Sequence, residues 1–300
     1  MLKKYLHSLS KALSLLILRS GRKLSIGDGQ YYNKRFYINR LSLQKTHEAW
    51  LDAAYKAALV AKEGAFIDVG ANTGQTLIKL LSLDKRRQYV GFEPQLDCCF
   101  YIDQFIKQNN LDTHTLLPIG LSNYTGVTQL LKRRSDADTT ASTIEGFRPN
   151  EFYKGEQTIC VSIGDDIIPK LGLPRVSTIK IDVEGGELEV IDGLKQTLRD
   201  NSPFVFFEVL NHFLVATGQR IPSEIIEFRE GRCRQIECIL RNIGYSIFNI
   251  LPDCKLMEIS QIQPRVSNDL KITDYVAVHD DYRDAFFDKW PGTLLSREAI

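Results

Sequence analysis

Short apolar runs that end beside acidic residues alternate with amphipathic stretches along most of the chain. Residues 65–69 are too few for a helix and carry β-branched Ile67 and Val69, which indicates a buried parallel strand. Similar patterns predict further strands at about 88–93, 114–121, 177–182, 203–209, 244–250 and 272–278, and helices at about 43–62, 74–83, 95–109, 186–199 and 222–242. This alternation predicts an α/β fold with a doubly wound, mostly parallel seven-stranded sheet, whose last strand is antiparallel and lies at the edge.

Length and composition fit one large domain with added segments. The 300 residues, 43% of them hydrophobic, can bury one sizeable core. We expect residues 1–42 to form a basic N-terminal segment and residues 43–300 to form a single domain with an insertion at about 122–172. The insertion has strand-like ends and a polar middle, and it follows the third strand, so it is either a lid over a ligand site or an ordinary surface loop.

Charge and cysteine usage limit the choice of partners. The net charge is +1, which gives no overall attraction to nucleic acid. The first 23 residues carry six Lys or Arg residues and no acid, and they predict a helix that either rests on a membrane surface or packs on the domain. The six cysteines form no C-x-x-C pair, which favours a reduced, cytoplasmic protein, with the inner face of a membrane as the alternative place.

The loop after the first strand is not a dinucleotide fingerprint, which needs Gly at its first, third and sixth positions. Counted from Gly70, the third position is Asn72 and the sixth is Gln75. The spacing D-x-G-x-x-x-G, which begins at Asp68, suits a ligand without a pyrophosphate, such as S-adenosylmethionine. The methionine carboxylate of that ligand can face the start of the following helix, and its ammonium can lie near Asp68. The alternative is that the glycines only allow close strand-to-helix packing.

Acidic residues also end the other central strands of the predicted sheet. Glu93 ends the second strand, where an acid can accept hydrogen bonds from both hydroxyls of a ribose. Asp182 ends the fourth strand and Glu208 the fifth, and His212 follows soon after. Because a carboxylate at such a place must contact a ligand, a metal or water or else remain uncompensated, these residues are candidates for chemistry.

Three of these residues are candidate catalytic groups for proton removal. His212 is the first candidate for a general base, because neutral imidazole is the natural base near pH 7, and Asp182 and Glu208 compete with it. An alternative is that Asp182, Glu184, Glu208 and His212 bind a divalent cation, although no metal is the main prediction.

The insertion contains a cluster of hydroxyl side chains around Thr140 and Ser142. These hydroxyls can hydrogen-bond a polyhydroxylated acceptor, which makes both residues candidates for substrate contact. The alternative is a solvated loop.

Four segments, FIDVGANTG, GFEP, IKIDVEGGELEVIDG and FFEV, occur in this order and resemble those of the FkbM-type methyltransferases, a Rossmann-like, class I branch that uses S-adenosylmethionine. The resemblance covers about residues 60–280. It implies that the methionine part of the cofactor, the ribose and the methyl-transfer site are each held by a separate group of residues. The groups are Asp68, Gly70, Asn72 and Gly74 for the methionine part, Glu93 for the ribose, and Asp182 with Glu184 beside the transferred methyl group.

These observations predict a methyltransferase that uses S-adenosylmethionine and methylates a hydroxyl of a sugar, a glycan or another small molecule. One alternative is a catalytically inactive scaffold that binds the same cofactor. A weaker one is a nicotinamide-dependent dehydrogenase, which the glycine spacing disfavours. A nucleic-acid substrate is not expected, because the chain has no basic domain.

Overall fold

The computed structural model describes residues 22–26, 29–33, 48–133, 138–212 and 222–295. The strands in these ranges are β1 (Arg22–Ile26), β2 (Gly29–Asn33), β3 (Ala65–Val69), β4 (Tyr89–Phe92), β5 (His114–Leu117), β6 (Gly120–Ser122), β7 (Gly126–Lys132), β8 (Gly155–Ile163), β9 (Val176–Ile181), β10 (Phe204–Glu208), β11 (Tyr245–Leu251), β12 (Lys255–Glu258), β13 (Asp274–His279) and β14 (Thr293–Leu295). The α-helices are α1 (Asp52–Ala61), α2 (Gln75–Leu83), α3 (Leu96–Gln108), α4 (Gly164–Ile167), α5 (Glu187–Asp192), α6 (Lys195–Asn201), α7 (Ser223–Asn242) and α8 (Arg283–Phe287). Short 3₁₀ turns occur at Ala49–Leu51, Asn150–Phe152, Ile168–Leu171, Leu270–Ile272 and Asp280–Tyr282.

The main sheet has nine strands in the order β14-β12-β11-β13-β10-β9-β3-β4-β5. Strands β3, β4, β5, β9 and β10 are parallel to their neighbours among these five. The α/β fold with a mostly parallel sheet is therefore confirmed. The chain leaves β3 toward β4 on one side and later returns to β9 on the other, so the strand order reverses between β3 and β9. In sheets of this kind the ligand crevice opens at that reversal.

The sheet is wider than predicted, and this moves the antiparallel strand away from the edge. The predicted strands correspond to seven neighbouring strands of the sheet, and the short strands β12 and β14 extend it. The single strand predicted at 114–121 is two strands, because β5 belongs to this sheet and β6 to a separate one. Strand β13 is antiparallel as expected, but it lies between β10 and β11. The prediction of an edge strand was wrong because β11, β12 and β14 continue the sheet beyond it.

The helix predicted at 186–199 is two helices, α5 and α6. Gly193 separates them, and a Cβ atom there would lie 2.1 Å from the carbonyl oxygen of Ser122. The backbone of β6 thus presses directly against the end of α5. A residue with a side chain could not continue the helix at this place without displacing the β6 backbone.

Alternating side chains of the strands fill two separate cores, one on each face of the sheet. Phe204 and Phe206 point to the face that α1, α2, α3 and α8 cover. Val205 and Phe207 point to the other face, which α5, α6 and α7 cover. Burial on both faces explains why the central strands are continuous apolar runs rather than alternating ones.

The insertion forms a small sheet of its own in the order β6-β8-β7. Its strand-like ends, predicted at 126–131 and 158–163, correspond to β7 and β8, which pair antiparallel from Gly126 to Lys132.

The N-terminal segment is described only at β1 and β2, which form an antiparallel hairpin. The basic helix was predicted over the first 23 residues, of which 1–21 lie outside the described residues. For Arg22 and Lys23 the prediction was wrong, because both belong to β1. Among the helices in the described part of the chain, none is both long and apolar enough to cross a bilayer.

We expect Phe204→Ala to lower the free energy of unfolding by about 3–5 kcal/mol, because this fully buried ring leaves a cavity between the sheet and α8. The matched control is Phe100→Ala, since Phe100 is 52% exposed on α3 and its loss should cost less than about 1 kcal/mol. Chemical denaturation of both variants checks this. If both variants lose the same free energy of unfolding, the packing of Phe204 on β10 contributes less to stability than predicted.

Candidate functional site

A cavity of about 500 Å³ opens at the carboxyl ends of β3, β4, β9 and β10. Its wall combines the loop after β3, the ends of β4, β9 and β10, and residues 138–141 of the insertion. The insertion thus covers one side of the crevice, as a lid would. Of the predicted cofactor residues, Gly70, Asn72, Glu93 and Asp182 line the cavity, whereas Asp68 and Gly74 do not.

The loop after β3 is built from left-handed backbone. The φ angles are +82° at Gly70, 47° at Asn72 and +86° at Gly74, a region that favours Gly and tolerates Asn. A Cβ atom on Gly70 would lie 1.9 Å from the carbonyl oxygen of Asp182, so only Gly fits there. This close approach joins the end of β3 to the end of β9 and exposes the loop backbone to the cavity.

Glu93 fixes this loop from the end of β4. Its Oε2 atom accepts a hydrogen bond from the backbone N–H of Asn72, and its Oε1 atom accepts one from that of Gln95, both at 2.8 Å. Burial raises the pKa of Glu93 to about 7, against the effect of the two N–H donors. The carboxylate is therefore held in place before any ligand arrives.

Asp68 lies behind the cavity wall. It is fully buried, the hydroxyl of Tyr89 donates to its Oδ2 atom at 2.7 Å, and its Oδ1 atom has no partner in the part of the chain that the structure describes. Burial raises the pKa of this carboxyl to about 6, although Lys180 lowers it. The prediction that Asp68 contacts a bound cofactor stays a prediction, and it would require movement of the wall.

Asp182, Glu184 and Glu208, here named the acidic trio, converge on the cavity, with oxygen atoms within 4.8 Å of one another. Strand β9 ends at Ile181, and the left-handed backbone of Glu184, with φ of 57°, brings its side chain to the same side as Asp182. This convergence meets the geometric requirement of the divalent-cation alternative, without His212.

Among the described residues, each member of the acidic trio has one side-chain partner. Lys180 Nζ lies 2.7 Å from Asp182 Oδ2, and Arg148 pairs with Glu184. The hydroxyl of Thr273 donates to Glu208 Oε1 at 2.9 Å.

Burial sets the charge states around the acidic trio. It raises the pKa of Glu184 to about 7, opposed by Arg148, and the pKa of Glu208 well above its usual range, assisted by Asp182. Burial lowers the pKa of Lys180, but Asp182 and Asp68 more than compensate, so that pKa is raised. Lys180 is therefore a cation at neutral pH.

The three other predicted residues have different surroundings. His212 is 2% exposed, does not line the cavity, and neither of its ring nitrogens has a partner within the described ranges. Burial and then Arg229 lower its pKa. Thr140 lines the cavity and donates to Asp138, whereas Ser142 is fully buried behind the wall, where its hydroxyl accepts from the N–H of Ile144.

The structure adds site residues that the sequence did not indicate. Arg148 joins the insertion to the acidic trio, because it donates to the carbonyl of Thr140 at 3.1 Å and to Glu184. Gln95 bonds both backbone groups of Asp138 at 2.9 Å. The sequence shows Lys180 as a lone cation inside an apolar strand, which could have marked it as a site residue. Arg148 lies 36 positions before its partner Glu184, and no sequence pattern connects the two.

The comparison with known families agrees with this geometry. The family described as "Methyltransferase FkbM domain" matches residues 68–247, which run from the end of β3 through β10 and contain all the cavity-lining strand ends. The chain belongs to the FkbM methyltransferase family. This confirms the resemblance inferred from the sequence motifs.

Two curated proteins are similar to this FkbM methyltransferase over most of their own length. One is methyltransferase sdnD of Sordaria araneosa, 26% identical over 245 residues, which are 71% of this chain and 85% of that protein. The other is hexuronic acid methyltransferase AglP of Haloferax volcanii, 25% identical over 185 residues, which are 58% of this chain and 71% of that protein.

Similarity to solved structures is weaker. An FkbM methyltransferase from Methylobacillus flagellatus has a TM-score of 0.43 and 16% identity, and the match covers 72% of this chain and 43% of that one. An O-methyltransferase from Bacillus cereus in complex with SAH has a TM-score of 0.42 and 8% identity, with 81% and 85% covered.

We expect Asp68→Asn to gain stability relative to the natural chain as the pH rises from about 4 to about 6. The raised pKa of Asp68 means that folding favours the protonated carboxyl, so its stabilising effect is complete below pH 4 and is lost as the carboxyl ionises. The relative gain should reach on the order of 2 kcal/mol in unfolding experiments across that range. The control is the exposed Asp112→Asn, whose difference from the natural chain should not follow this trend. A difference in unfolding free energy between Asp68→Asn and the natural chain that does not change with pH would contradict the raised pKa of Asp68 in the folded protein.

Proposed function

We propose that this FkbM methyltransferase transfers a methyl group from S-adenosylmethionine to a hydroxyl of a sugar, glycan or other small-molecule acceptor. The observation that carries the proposal is that the left-handed loop at Gly70 and the preset carboxylate of Glu93 share a cavity with the acidic trio. The first two suit the cofactor, and the third suits the place of proton removal.

The cofactor would lie with its ribose at Glu93 and its methionine part along the loop at Gly70 and Asn72. A carboxylate oxygen that already accepts one N–H can accept another bond, so Glu93 can still receive both ribose hydroxyls. The start of α2 favours the methionine carboxylate. The sulfonium and ammonium of the cofactor are cations, which suit a wall rich in carboxylates.

The reaction is an in-line displacement, to which the cavity contributes alignment and removal of water. The acceptor oxygen forms a bond to the methyl carbon as the carbon–sulfur bond breaks, and sulfur keeps the electron pair. The hydroxyl proton passes to Glu208, which lines the cavity and whose raised pKa makes it a better proton acceptor than an ordinary carboxylate. Glu208 is favoured over His212, which lies off the wall, and over Asp182, which Lys180 occupies.

Titration calorimetry with S-adenosylmethionine, S-adenosylhomocysteine and NAD tests the cofactor. We expect binding heat with the first two compounds and none with NAD. Folded protein that gives no heat with S-adenosylmethionine or S-adenosylhomocysteine would overturn the proposal. Transfer of radiolabelled methyl groups into a glycan extract then separates an enzyme from a scaffold that binds the cofactor without turnover.

We expect Glu93→Gln to weaken S-adenosylhomocysteine binding about ten- to hundredfold. The amide would turn an N–H₂ group toward a backbone N–H and would lose a charged acceptor for the ribose. Calorimetry measures the change, with the exposed Glu156→Gln as the matched control. Unchanged affinity in the Glu93 variant would remove Glu93 from the cofactor site.

We expect Glu208→Gln to lower the rate of methyl transfer about 10²- to 10⁴-fold while the affinity for S-adenosylhomocysteine stays within about threefold. In the natural enzyme the rate should rise with pH as Glu208 ionises, and the variant should lose this rise. Single-turnover transfer rates across a pH series provide the measurement. A pH profile that survives in Glu208→Gln and disappears in His212→Asn would assign the base to His212 instead.

The convergence of the acidic trio also supports a divalent cation as a second candidate feature, in which the metal would lower the pKa of the acceptor hydroxyl. A chelator should then abolish methyl transfer, and Mg²⁺ or Mn²⁺ should restore it. Transfer that is indifferent to chelation would remove this candidate.

A further inference from the structure

The cavity wall has a marked excess of acidic side chains. Among its lining residues in the described ranges, seven are Asp or Glu and three are Lys or Arg. Two of these cations are already engaged, since Arg148 pairs with Glu184 and Lys180 pairs with Asp182. The third, Arg133, is exposed and lies over the ring of Phe152, with 5.2 Å between guanidinium and ring centre. An anionic ligand would therefore find no uncommitted buried cation on the described wall.

The acidic trio offers hydrogen-bond acceptors without matching donors. Its three contacts with the protein use Asp182 Oδ2, Glu184 Oε2 and Glu208 Oε1. The second oxygen of each carboxylate accepts no hydrogen bond from any residue that the structure describes. These oxygens can accept hydrogen bonds, so O–H or N–H groups of a ligand that fills this part of the cavity would find acceptors there.

We propose that the acceptor held by this cavity is an uncharged polyol, such as a neutral sugar ring, and that an acceptor with a carboxylate near the reacting oxygen is rejected. The proposal rests on the methyl transfer proposed above and narrows its acceptor. Two or three sugar hydroxyls can donate to the free oxygens of the acidic trio, and one of them is the hydroxyl that is methylated. A uronate would bury its own negative charge beside the same oxygens, where both buried cations of the described wall are already paired.

The predicted product is therefore a methyl ether, not a methyl ester. In ester formation the attacking atom is a carboxylate oxygen, which would have to approach the sulfonium past the acidic trio. The approaching carboxylate would find both buried cations of the described wall already paired, which disfavours this approach. Ester formation also removes no proton, so it would not use Glu208 as a general base. The relative named as a hexuronic acid methyltransferase makes a uronate the sharpest competitor to test.

The test compares two pools of methyl glycosides on the full chain. One pool contains the neutral glucoside, mannoside and galactoside, and the other contains the corresponding glucuronide, mannuronide and galacturonide. Binding of S-adenosylhomocysteine is measured first, and radiolabelled transfer from S-adenosylmethionine into each pool follows. We expect label in the neutral pool at a rate at least tenfold above that in the uronate pool, as a base-stable ether.

The variant Glu184→Gln sharpens the comparison. It removes one charge from the acidic trio and releases Arg148, so the preference for neutral over uronate acceptors should fall at least fivefold. Asp182→Asn should act in the same direction because it releases Lys180. This second variant keeps the test valid if the first one fails to fold. Glu156→Gln, exposed on β8, is the matched control and should keep the preference of the natural chain.

The possible failures are distinguishable. Transfer into the uronate pool at more than a tenth of the rate in the neutral pool would overturn the acceptor proposal and leave the cofactor proposal intact. Transfer into neither pool by protein that binds S-adenosylhomocysteine would have the same meaning. Absence of S-adenosylhomocysteine binding would overturn both. An unchanged preference in both charge variants would show that the acidic trio does not select the acceptor.

Discussion

The contact between Gly70 and the backbone of Asp182 is the constraint on which the rest of the site depends. A Cβ atom at residue 70 would lie 1.9 Å from the carbonyl oxygen of Asp182, so the ends of β3 and β9 meet main chain against main chain. This contact lies where the strand order reverses and the sheet opens. It brings the loop that faces Glu93 and the turn that carries the acidic trio to one cavity.

Behind this contact, burial and charge work against each other. Asp182 and Asp68 act on Lys180, the one cation within the central strands in the described part of the chain, and Arg148 pairs with Glu184. One ammonium and one guanidinium do not compensate four carboxylates in a region of low dielectric, and burial raises the pKa of Asp68, Glu184 and Glu208. The protein thus carries a local surplus of carboxyl groups that a cationic cofactor can relieve.

Much of the fold was predictable because burial on both faces makes central strands readable as continuous apolar runs. The breaks and edges were less readable. Strands β12 and β14 have four and three residues, too short for a periodic signal, and Gly193 divides a helix because of a carbonyl 71 positions earlier in the chain. A local pattern cannot carry such a contact.

The same limit applies to the site. Acids at strand ends could be predicted, since parallel strands place their carboxyl ends along one edge. Whether a side chain faces the cavity could not be predicted, and His212 and Ser142 lie behind its wall. The pairing of Arg148 with Glu184 depends on how the insertion folds back, which no local spacing records.

The attachment of the insertion has a consequence for how such a protein can diversify. Gln95 holds both main-chain groups of Asp138, and Arg148 holds Glu184, so the segment between these two points is clamped at both ends. Between the clamps Ser142 is fully buried and pairs with Leu131 of β7, whereas Thr139, which lines the cavity, is exposed. Exposed positions of this kind can be exchanged without disturbing the sheet. New acceptor preferences can therefore arise by drift in one short stretch of chain, while the machinery that handles the methyl donor is inherited unchanged.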